Sequence, residues 1–520
     1  MAKKKKKEKS YKPSKWVYII MFTLPLIFCL LVTKQLDNDI WYLLSEGRHI
    51  FENGIYHIDP LSMHNGLHVV VQNWLSATAF WVIYDLFGQF GLLTTVLLSN
   101  FFICLLLYKI CMLISDENRI LSLIVMLATN ITLIAHFVVS RPQILSFIIL
   151  LALIYVLELY IKTENKKYLI WLPILSFIEV NLHASLWWML FLFMLPYVID
   201  SFKCDLLKTQ GYTKKPLFIA IAIALLVGLI NPYGYKAITF IFTSYGDQYM
   251  HLFINELLPF MFNKDLCRHM FGVMLIVGLI YTFFREGKVR VRYICLFCGT
   301  LLLGFMSVKG FSHFILVSIF PLAYFFKDIF PKDFNEIINE FPKLFKVLTT
   351  GAGVICIAGF CVLFVHKCQS NLMDNQLKEP MDSIAKAFDP NTTNVYSSFN
   401  DGGYVEFRGF KPYIDPRAEL FLKNNNKQAD IFKEFYQLQH NQIDKSEFLK
   451  KYNFEVMLLH NGDTLYNEML NHDNYFIIYD NTKIGYRVYA RSDMFTDEKR
   501  QEIIDTYNKI IEQQKSTNES

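Results

Sequence analysis

Long apolar blocks alternate with short polar stretches along the first 366 residues, and the chain becomes polar after them. The first block, Trp16 to Thr33, has 18 positions without a charge, which approaches the length that a helix needs to cross a bilayer. Such blocks are typical of transmembrane helices, because an apolar helix satisfies its backbone hydrogen bonds internally. The pattern therefore predicts a polytopic α-helical membrane protein.

The pattern predicts about 11 membrane crossings, and a shorter helix at Trp74 to Phe87 that lies on the membrane surface or re-enters the membrane. A Gly88-Gln89-Phe90-Gly91 break separates this helix from the next crossing. The predicted crossings are residues 16–33, 91–114, 120–138, 144–161, 168–180, 186–199, 217–230, 270–284, 293–306, 314–326 and 347–365.

The distribution of charge predicts the orientation of these crossings. Eight lysines lie in residues 1–15, and a basic tail directly before a span is typically cytoplasmic. A basic run can also bind nucleic acid, but the neighbouring span favours a topology signal, so no nucleic-acid partner is expected. The predicted inner loops all contain Lys or Arg, whereas Arg141 and Lys309 are the only basic residues of the predicted short outer turns. We expect a plasma (inner) membrane protein with its N-terminus inside and its C-terminus outside.

Composition and cysteine usage narrow the class of protein. With 53% hydrophobic and 19% charged residues, the chain is neither disordered nor a single soluble enzyme. Cys295 and Cys298 have CxxC spacing, but they lie in an apolar block without a second ligand pair. A zinc or redox site is therefore disfavoured.

The polar C-terminal region predicts a second domain. Transmembrane residues 16–366, which include an external loop at 34–73, are followed by a small extracytoplasmic α/β domain at 367–514 and a polar tail at 515–520. Helices are predicted at residues 427–438, 465–471 and 497–513. The predicted strands are residues 394–399, 404–407, 412–415, 454–460, 475–479 and 484–489.

The first external loop carries the most informative polar residues. Asp37 and Asp39 stand at the outer end of the first span, separated by one residue. Such a pair can ligate a divalent cation, or one carboxylate can act as a general base while the other orients it. The apolar side of the following helix would hold both at headgroup depth. The alternative is a solvated helix N-cap, where acids are favoured by the helix dipole.

This loop resembles the GT-C superfamily of membrane glycosyltransferases, which includes protein O-mannosyltransferase-like and oligosaccharyltransferase-like enzymes. It is most similar to bacterial members whose first loop has a DxDxW motif, here Asp37, Asp39 and Trp41. Short matches continue in order over nearly the whole chain. They are Gly47-Arg48, Asp59-Pro60-Leu61-Ser62, Trp74-Leu75, Arg141-Pro142-Gln143, Asn181-Leu182-His183, Asn231-Pro232-Tyr233-Gly234, Ile254-Asn255-Glu256, Asp401-Gly402-Gly403-Tyr404 and Ile414-Asp415-Pro416-Arg417.

The resemblance implies a GT-C-like fold and transfer of a sugar from a polyprenyl-phosphate-linked donor on the outer face of the membrane. The acceptor would be a glycan, a lipid or a protein, and membrane lipids would surround the enzyme. Asp37 or Asp39 would deprotonate the acceptor hydroxyl, or both would help to hold a divalent cation such as Mg or Mn. Glu256 is the candidate second acid, with a rim-exposed loop residue as the alternative.

Several cations are candidates for holding the donor phosphate or another part of the substrate. Arg suits phosphate because its planar fork donates two parallel hydrogen bonds. Each candidate has a simpler interpretation, such as an interfacial anchor, a solvent-facing charge or a packed histidine. The candidates are Arg48, His49, Arg141, His183, Lys309 and His313.

Asp415 and Arg417 follow a predicted strand of the outer domain. They can contact the acceptor, or they can pair with one another to hold a loop. The chain carries no hydrolase, zinc-protease, NTPase or dinucleotide-binding motif.

Two further functions stay open. A ligase or polymerase would move a whole lipid-linked glycan, whereas a transporter or a non-catalytic scaffold for envelope glycan assembly would perform no transfer. The predicted spans have apolar centres and carry their charges at the outer boundary, which favours chemistry at the surface over transport.

Overall fold

The computed structural model describes residues 15–33, 36–207, 209–244, 246–258, 289–329, 342–373 and 375–505, together with residues 272, 274, 275, 278 and 331. Most of the N-terminal tail, most of the predicted crossing at 270–284, the end of the predicted helix at 497–513 and the tail at 515–520 lie outside the described residues. The chain forms two compact units. The helical unit comprises residues 1–36, 89–238 and 254–372, and the α/β unit comprises residues 37–88, 239–253 and 373–520.

Apolar helices build the helical unit, as the block pattern predicts. Among the described residues, seven helices are long and apolar enough to cross a membrane, and Lys215–Val227 and Val291–Met306 are shorter apolar helices. The number of crossings and their orientation stay predictions. The helices with residues in this unit are Lys15–Val32, Trp74–Ile114, Arg119–His136, Gln143–Thr163, Trp171–Leu182, Trp187–Ser201, Lys215–Val227, Tyr235–Ser244, Val291–Met306, Val308–Val317, Phe320–Phe326 and Pro342–Gln369.

The predicted break after Phe87 coincides with a kink. The helical stretch Trp74–Ile114 consists of two helices that meet at Gly88, which has a φ of 59° and a ψ of −150°. This backbone conformation favours glycine because a Cβ atom would be strained there. The short helix and the following crossing are therefore joined through a glycine kink rather than separated by a loop.

A buried ion-pair network lies in the helical unit. Arg292, which the charge pattern assigns to an inner loop, is only 4% exposed and lies in the helix Val291–Met306. Its Nε atom lies 2.9 Å from Glu158 Oε1, and its Nη1 atom lies 2.7 Å from Asp200 Oδ2. A buried charge is tolerated only when it is paired. The network therefore holds together the three helices that carry Glu158, Asp200 and Arg292.

The α/β unit contains a five-stranded sheet of order β2-β1-β3-β5-β4. The strands are β1 Asn394–Tyr396, β2 Lys411–Pro412, β3 Val456–His460, β4 Tyr475–Asn481 and β5 Tyr486–Arg491. Strand β1 pairs in parallel with β2 and β3, whereas β5 pairs antiparallel with β3 and β4. The helices are Ile40–Asn53, Gln248–Phe253, Lys378–Ala387, Phe399–Phe407, Lys423–Asn426, Ile431–Gln439 and Lys445–Tyr452.

The strand predicted at residues 404–407 is wrong, because these residues belong to the helix Phe399–Phe407. Packing explains the difference. The Tyr404 and Phe407 rings lie 4.7 and 4.8 Å from the Trp41 ring, a contact that needs both side chains on one helical face. A Cβ atom on Gly402 would lie 1.9 Å from the Ile414 carbonyl oxygen. Glycine there allows the helix to approach the segment that follows β2.

Candidate functional site

In the helical unit, the predicted second acid meets a predicted phosphate-binding residue. Arg141 Nη1 donates to both Glu256 carboxylate oxygens, at 2.8 and 2.9 Å. Arg141 immediately precedes Pro142, the N-cap of the helix Gln143–Thr163. Glu256 lies in the turn Asn255–Leu257, which is held in place by a hydrogen bond from Val308 N to Leu258 O. The fold therefore forms a half-buried ion pair from two residues 115 positions apart.

Both candidate histidines of the helical unit are buried among serine hydroxyls. The Ser146 hydroxyl lies 3.0 Å from His183 Nδ1, and the Ser312 hydroxyl lies 3.4 Å from His313 Nδ1. Lys309 is close enough to both imidazoles to interact with them electrostatically. Three of the candidate cations and histidines, at 183, 309 and 313, therefore share one polar environment.

Four polar residues of this environment are not among the candidate site residues predicted from the sequence, namely Gln143, Ser146, Glu179 and Ser312. Gln143 Nε2 donates to the Ser312 hydroxyl at 3.0 Å, and Ser146 stands one turn further along the same helix. Glu179 lies four residues before His183 and is fully buried. Polar residues three or four apart inside an apolar block share a helical face, and that spacing is the signal that finds them.

The Asp37-Asn38-Asp39 motif lies in the α/β unit at the start of the helix Ile40–Asn53. Both aspartates are half-buried, and Asp39 is the N-cap residue. Asn38 Nδ2 donates to the Asn400 carbonyl oxygen at 2.6 Å, which anchors the motif. The site favours anionic side chains because the unpaired amides of a helix N-terminus carry partial positive charge.

The two carboxylates of this motif could supply only some of the ligands that a divalent cation needs. Among the described residues, no group of three or more His, Cys, Asp or Glu side chains is arranged to hold a metal ion. Mg²⁺ commonly takes one or two protein carboxylates and completes its shell with water and substrate phosphate. Two carboxylates, as in Asp37 and Asp39, are compatible with that pattern, and the remaining ligands of a cation would have to come from outside the chain.

Arg48 and His49 line a cleft of about 500 Å³ in the α/β unit. Arg408, Lys411 and Glu52 lie around the same cleft. The Arg48 guanidinium stacks on the Trp81 ring at 5.5 Å. Burial lowers the pKa of His49, and this effect outweighs the nearby carboxylates. His49 is therefore neutral at neutral pH and is suited to hydrogen bonding rather than to charge pairing.

Arg417 is the centre of a buried network in the α/β unit. It lies 2.7 Å from Asp59, donates to both Asp415 oxygens at 2.8 and 2.9 Å, and bonds Glu406. Glu46 is also close, at 3.8 Å. The network joins two of the motifs in the sequence, Asp59-Pro60 and Asp415-Pro416-Arg417. The described geometry has Asp415 and Arg417 paired, whereas their acceptor-side role stays a prediction.

Four carboxylates around one guanidinium cannot all be charged without cost. Burial raises the pKa of Glu46 to about 8, although Arg417 opposes this effect. Burial also raises the pKa of Glu406 well above its usual value. For Asp59, burial acts in the same direction, but Arg417 and Ser62 outweigh it and lower its pKa. At neutral pH, Asp59 is ionised and Glu46 is mostly protonated, which reduces the charge of the network.

No family model and no curated protein matches the chain, but solved structures share its fold. The oligosaccharyltransferase of Archaeoglobus fulgidus in the apo form is 11% identical, with a TM-score of 0.56 over 93% of this chain and 75% of that chain. The oligosaccharyltransferase AglB from Archaeoglobus fulgidus, in complex with an inhibitory peptide and a dolichol-phosphate, is 12% identical, with a TM-score of 0.55 over 94% of this chain and 75% of that chain.

ArnT from Cupriavidus metallidurans bound to undecaprenyl phosphate is 12% identical, with a TM-score of 0.53 over 92% of this chain and 98% of that chain. These structures are GT-C superfamily glycosyltransferases. At this level of identity the likeness concerns the fold alone. The chain therefore has a helical GT-C-like fold with several candidate membrane spans and a small sheet.

Proposed function

We propose that the protein is a membrane glycosyltransferase that moves a sugar from a polyprenyl-phosphate-linked donor to an acceptor hydroxyl on the outer face of the membrane. The main support lies in the helical unit, which carries the Arg141–Glu256 ion pair and, separately, Lys309 near two buried histidines. The fold adds support, because structures of similar fold hold dolichol-phosphate or undecaprenyl phosphate.

In the proposed reaction, the acceptor oxygen forms a bond to the anomeric carbon of the donor sugar. The bond from that carbon to the phosphate oxygen breaks, and polyprenyl phosphate leaves with the electron pair. The acceptor proton passes to Asp37 or Asp39. A positioned base of this kind contributes a factor of about 10²–10⁴ to the rate.

Arg141 would bind the donor phosphate, with Lys309 contributing a second positive charge. In the described conformation Arg141 Nη1 is shared by the two Glu256 oxygens. A phosphate carries the same kind of acceptor oxygens, so it can replace one Glu256 oxygen while the ion pair stays partly formed. The half-exposed position of Glu256 makes this exchange less costly than breaking a fully buried pair.

Alternatively, Asp37 and Asp39 would hold a divalent cation, with ligands from outside the chain and water completing its shell. When bound, such a cation neutralises charge that develops on the leaving phosphate. For Asp37 and Asp39, holding the cation is the alternative to accepting the acceptor proton.

A second candidate is a ligase or polymerase that transfers a whole lipid-linked glycan. The likeness to an oligosaccharyltransferase favours it. The two candidates use the same bond chemistry and differ in the size of the group attached to the lipid phosphate.

The test is transfer by reconstituted protein supplied with polyprenyl-phosphate monosaccharides or lipid-linked oligosaccharides. We expect Asp37→Asn or Asp39→Asn to reduce transfer by about 10²–10⁴-fold, and Arg141→Gln by about 10–100-fold through weaker phosphate binding. The matched controls are Asp205→Asn and Arg119→Gln, which change charges in predicted inner loops. Full transfer by both aspartate variants contradicts the catalytic assignment, and absence of transfer from all donors favours a transporter or scaffold.

A further inference from the structure

Two buried polar side chains of the helical unit have atoms without a hydrogen bond. Glu179 is 0% exposed, and neither carboxyl oxygen has a partner with hydrogen-bond geometry within 3.5 Å among the described residues, although the Ser146 hydroxyl lies nearby. His313 is 1% exposed, and its Nε2 atom likewise has no hydrogen-bond partner among the described residues. Buried polar groups almost always have partners in native proteins, so atoms of this kind indicate a missing ligand or water.

These two side chains belong to one polar environment, which we name the Glu179 cluster and define as Ser146, Glu179, His183 and His313. Ser146 lies 3.0 Å from His183 Nδ1, and Glu179 lies near the same hydroxyl. His183 follows Glu179 by one helical turn, and its backbone N donates to the Glu179 carbonyl at 2.8 Å. His313 interacts electrostatically with His183.

The same unit shows how this fold treats a buried carboxylate that serves structure alone. Glu158 lies in the neighbouring helix and accepts from Arg292 at 2.9 Å and from Tyr197 at 3.0 Å. Its charge and its lone pairs are matched within the fold. Glu179 is equally buried without such a match, which indicates that its partners come from outside the chain.

We propose that the Glu179 cluster holds the sugar ring of the donor and that Glu179 determines which sugars are accepted. A carboxyl group offers two oxygens that can form hydrogen bonds, which suits two neighbouring ring hydroxyls. His313 Nε2 supplies a further donor or acceptor for the ring. This inference rests on the proposed function, in which Arg141 and Lys309 hold the phosphate to which the sugar is attached.

The test measures binding of two probes, undecaprenyl phosphate and undecaprenyl-phosphate glucose, by purified full-length protein in detergent. We expect Glu179→Leu to weaken binding of the glucose-bearing lipid by about 10–100-fold relative to undecaprenyl phosphate, because hydrogen bonds between the ring hydroxyls and the Glu179 carboxyl group are lost. Glu179→Gln keeps the shape and one acceptor oxygen, so its loss is smaller. Mannose- and galactose-bearing lipids replace glucose if the wild type prefers them.

Thermal unfolding separates recognition from support of the fold. Removal of an unsatisfied buried carboxylate should raise the unfolding temperature of Glu179→Leu by a few degrees, whereas a purely structural residue would lower it. Glu164→Gln changes an exposed carboxylate just beyond the helix Gln143–Thr163 and should leave binding of both lipids unchanged.

Two results overturn the inference. One is an equal change in binding of both lipids by Glu179→Leu, and the other is no change, which is expected if only water occupies the cluster. Failure of the proposed function looks different, because Arg141→Gln would then leave binding of undecaprenyl phosphate itself unaffected.

Discussion

The two ends of the helix Gln143–Thr163 use buried polar residues in opposite ways. Near its C-terminal end, Glu158 is matched by Arg292 and two tyrosine hydroxyls. Near its N-terminal end, Ser146 faces His183 and lies near Glu179, whose oxygens have no hydrogen-bond partner among the described residues. The two positions are roughly 18 Å apart along one helix.

The difference in hydrogen bonding distinguishes residues that stabilise the fold from residues that we propose to bind a ligand. A buried network stabilises the fold only while all its charged groups are paired with one another. Removal of one member leaves an unpaired buried charge, which is destabilising. A cluster with unmatched atoms lowers stability until something binds. Whether a buried polar side chain has a partner within the chain therefore indicates its role, structural or ligand-binding, better than its charge does.

The largest expected effect is a loss of stability on disruption of the Glu158–Arg292 network, near the C-terminal end of the helix Gln143–Thr163. Arg292→Gln leaves Glu158 and Asp200 buried without a cation, and we expect it to destabilise the protein by about 3–5 kcal/mol. The measurement is thermal unfolding in detergent. Arg290→Gln, two residues earlier and half-buried, is the control. A loss no larger than that of the control would show that the network is not structural.

A second prediction extends the comparison to the Arg417 network, where the folded state keeps a proton on Glu46. Because the pKa of Glu46 is raised to about 8, the folded state binds this proton more tightly than the unfolded chain between its usual pKa and pH 8. Stability from this group is complete at low pH and falls as pH rises through that window, by at most about 1.4 kcal/mol per pH unit.

Glu46→Gln removes this titration and should flatten the dependence of the unfolding temperature on pH between 5 and 8. The variant should be more stable than the wild type near pH 8, since it carries no charge to bury. Glu52→Gln, on the same helix but exposed, is the control. An unchanged pH profile for Glu46→Gln would mean that Glu46 is already ionised in the folded protein.

The smallest expected effect is on the half-exposed ion pair. The Glu256 side chain is 46% exposed, so solvent screens its attraction to Arg141. We expect Glu256→Gln to change the free energy of unfolding by less than about 1 kcal/mol, as measured by thermal unfolding beside Arg292→Gln. A loss as large as that of Arg292→Gln would place Arg141 and Glu256 among the structural networks and remove the contrast.

Much of the helical architecture is predictable from the sequence. The apolar blocks at residues 144–161 and 293–306 match the helices Gln143–Thr163 and Val291–Met306 within two residues. Length and hydrophobicity determine such helices locally. The strand predicted at residues 404–407 fails, because contacts with Trp41 outweigh the strand preference of Tyr and Phe.

The candidate site is predictable only where a charge interrupts an apolar pattern. Arg141 and Lys309 are visible for this reason at the ends of predicted spans. Glu179 lies inside an apolar block, where only its four-residue spacing from His183 indicates a polar helical face. Glu46 and Glu406 join Arg417 through tertiary packing, and nothing in their spacing along the chain indicates that contact.

The bond between Arg417 and Asp59 also constrains the order in which the protein can mature. The two residues are separated by 358 positions. At the usual pace of translation, Arg417 is made on the order of 20–70 s after Asp59. During that time the first-loop carboxylate has no counter-ion and stays in water. The core of the α/β unit can therefore close only late in synthesis, and truncated chains that end before Arg417 should leave the first loop open to proteolysis.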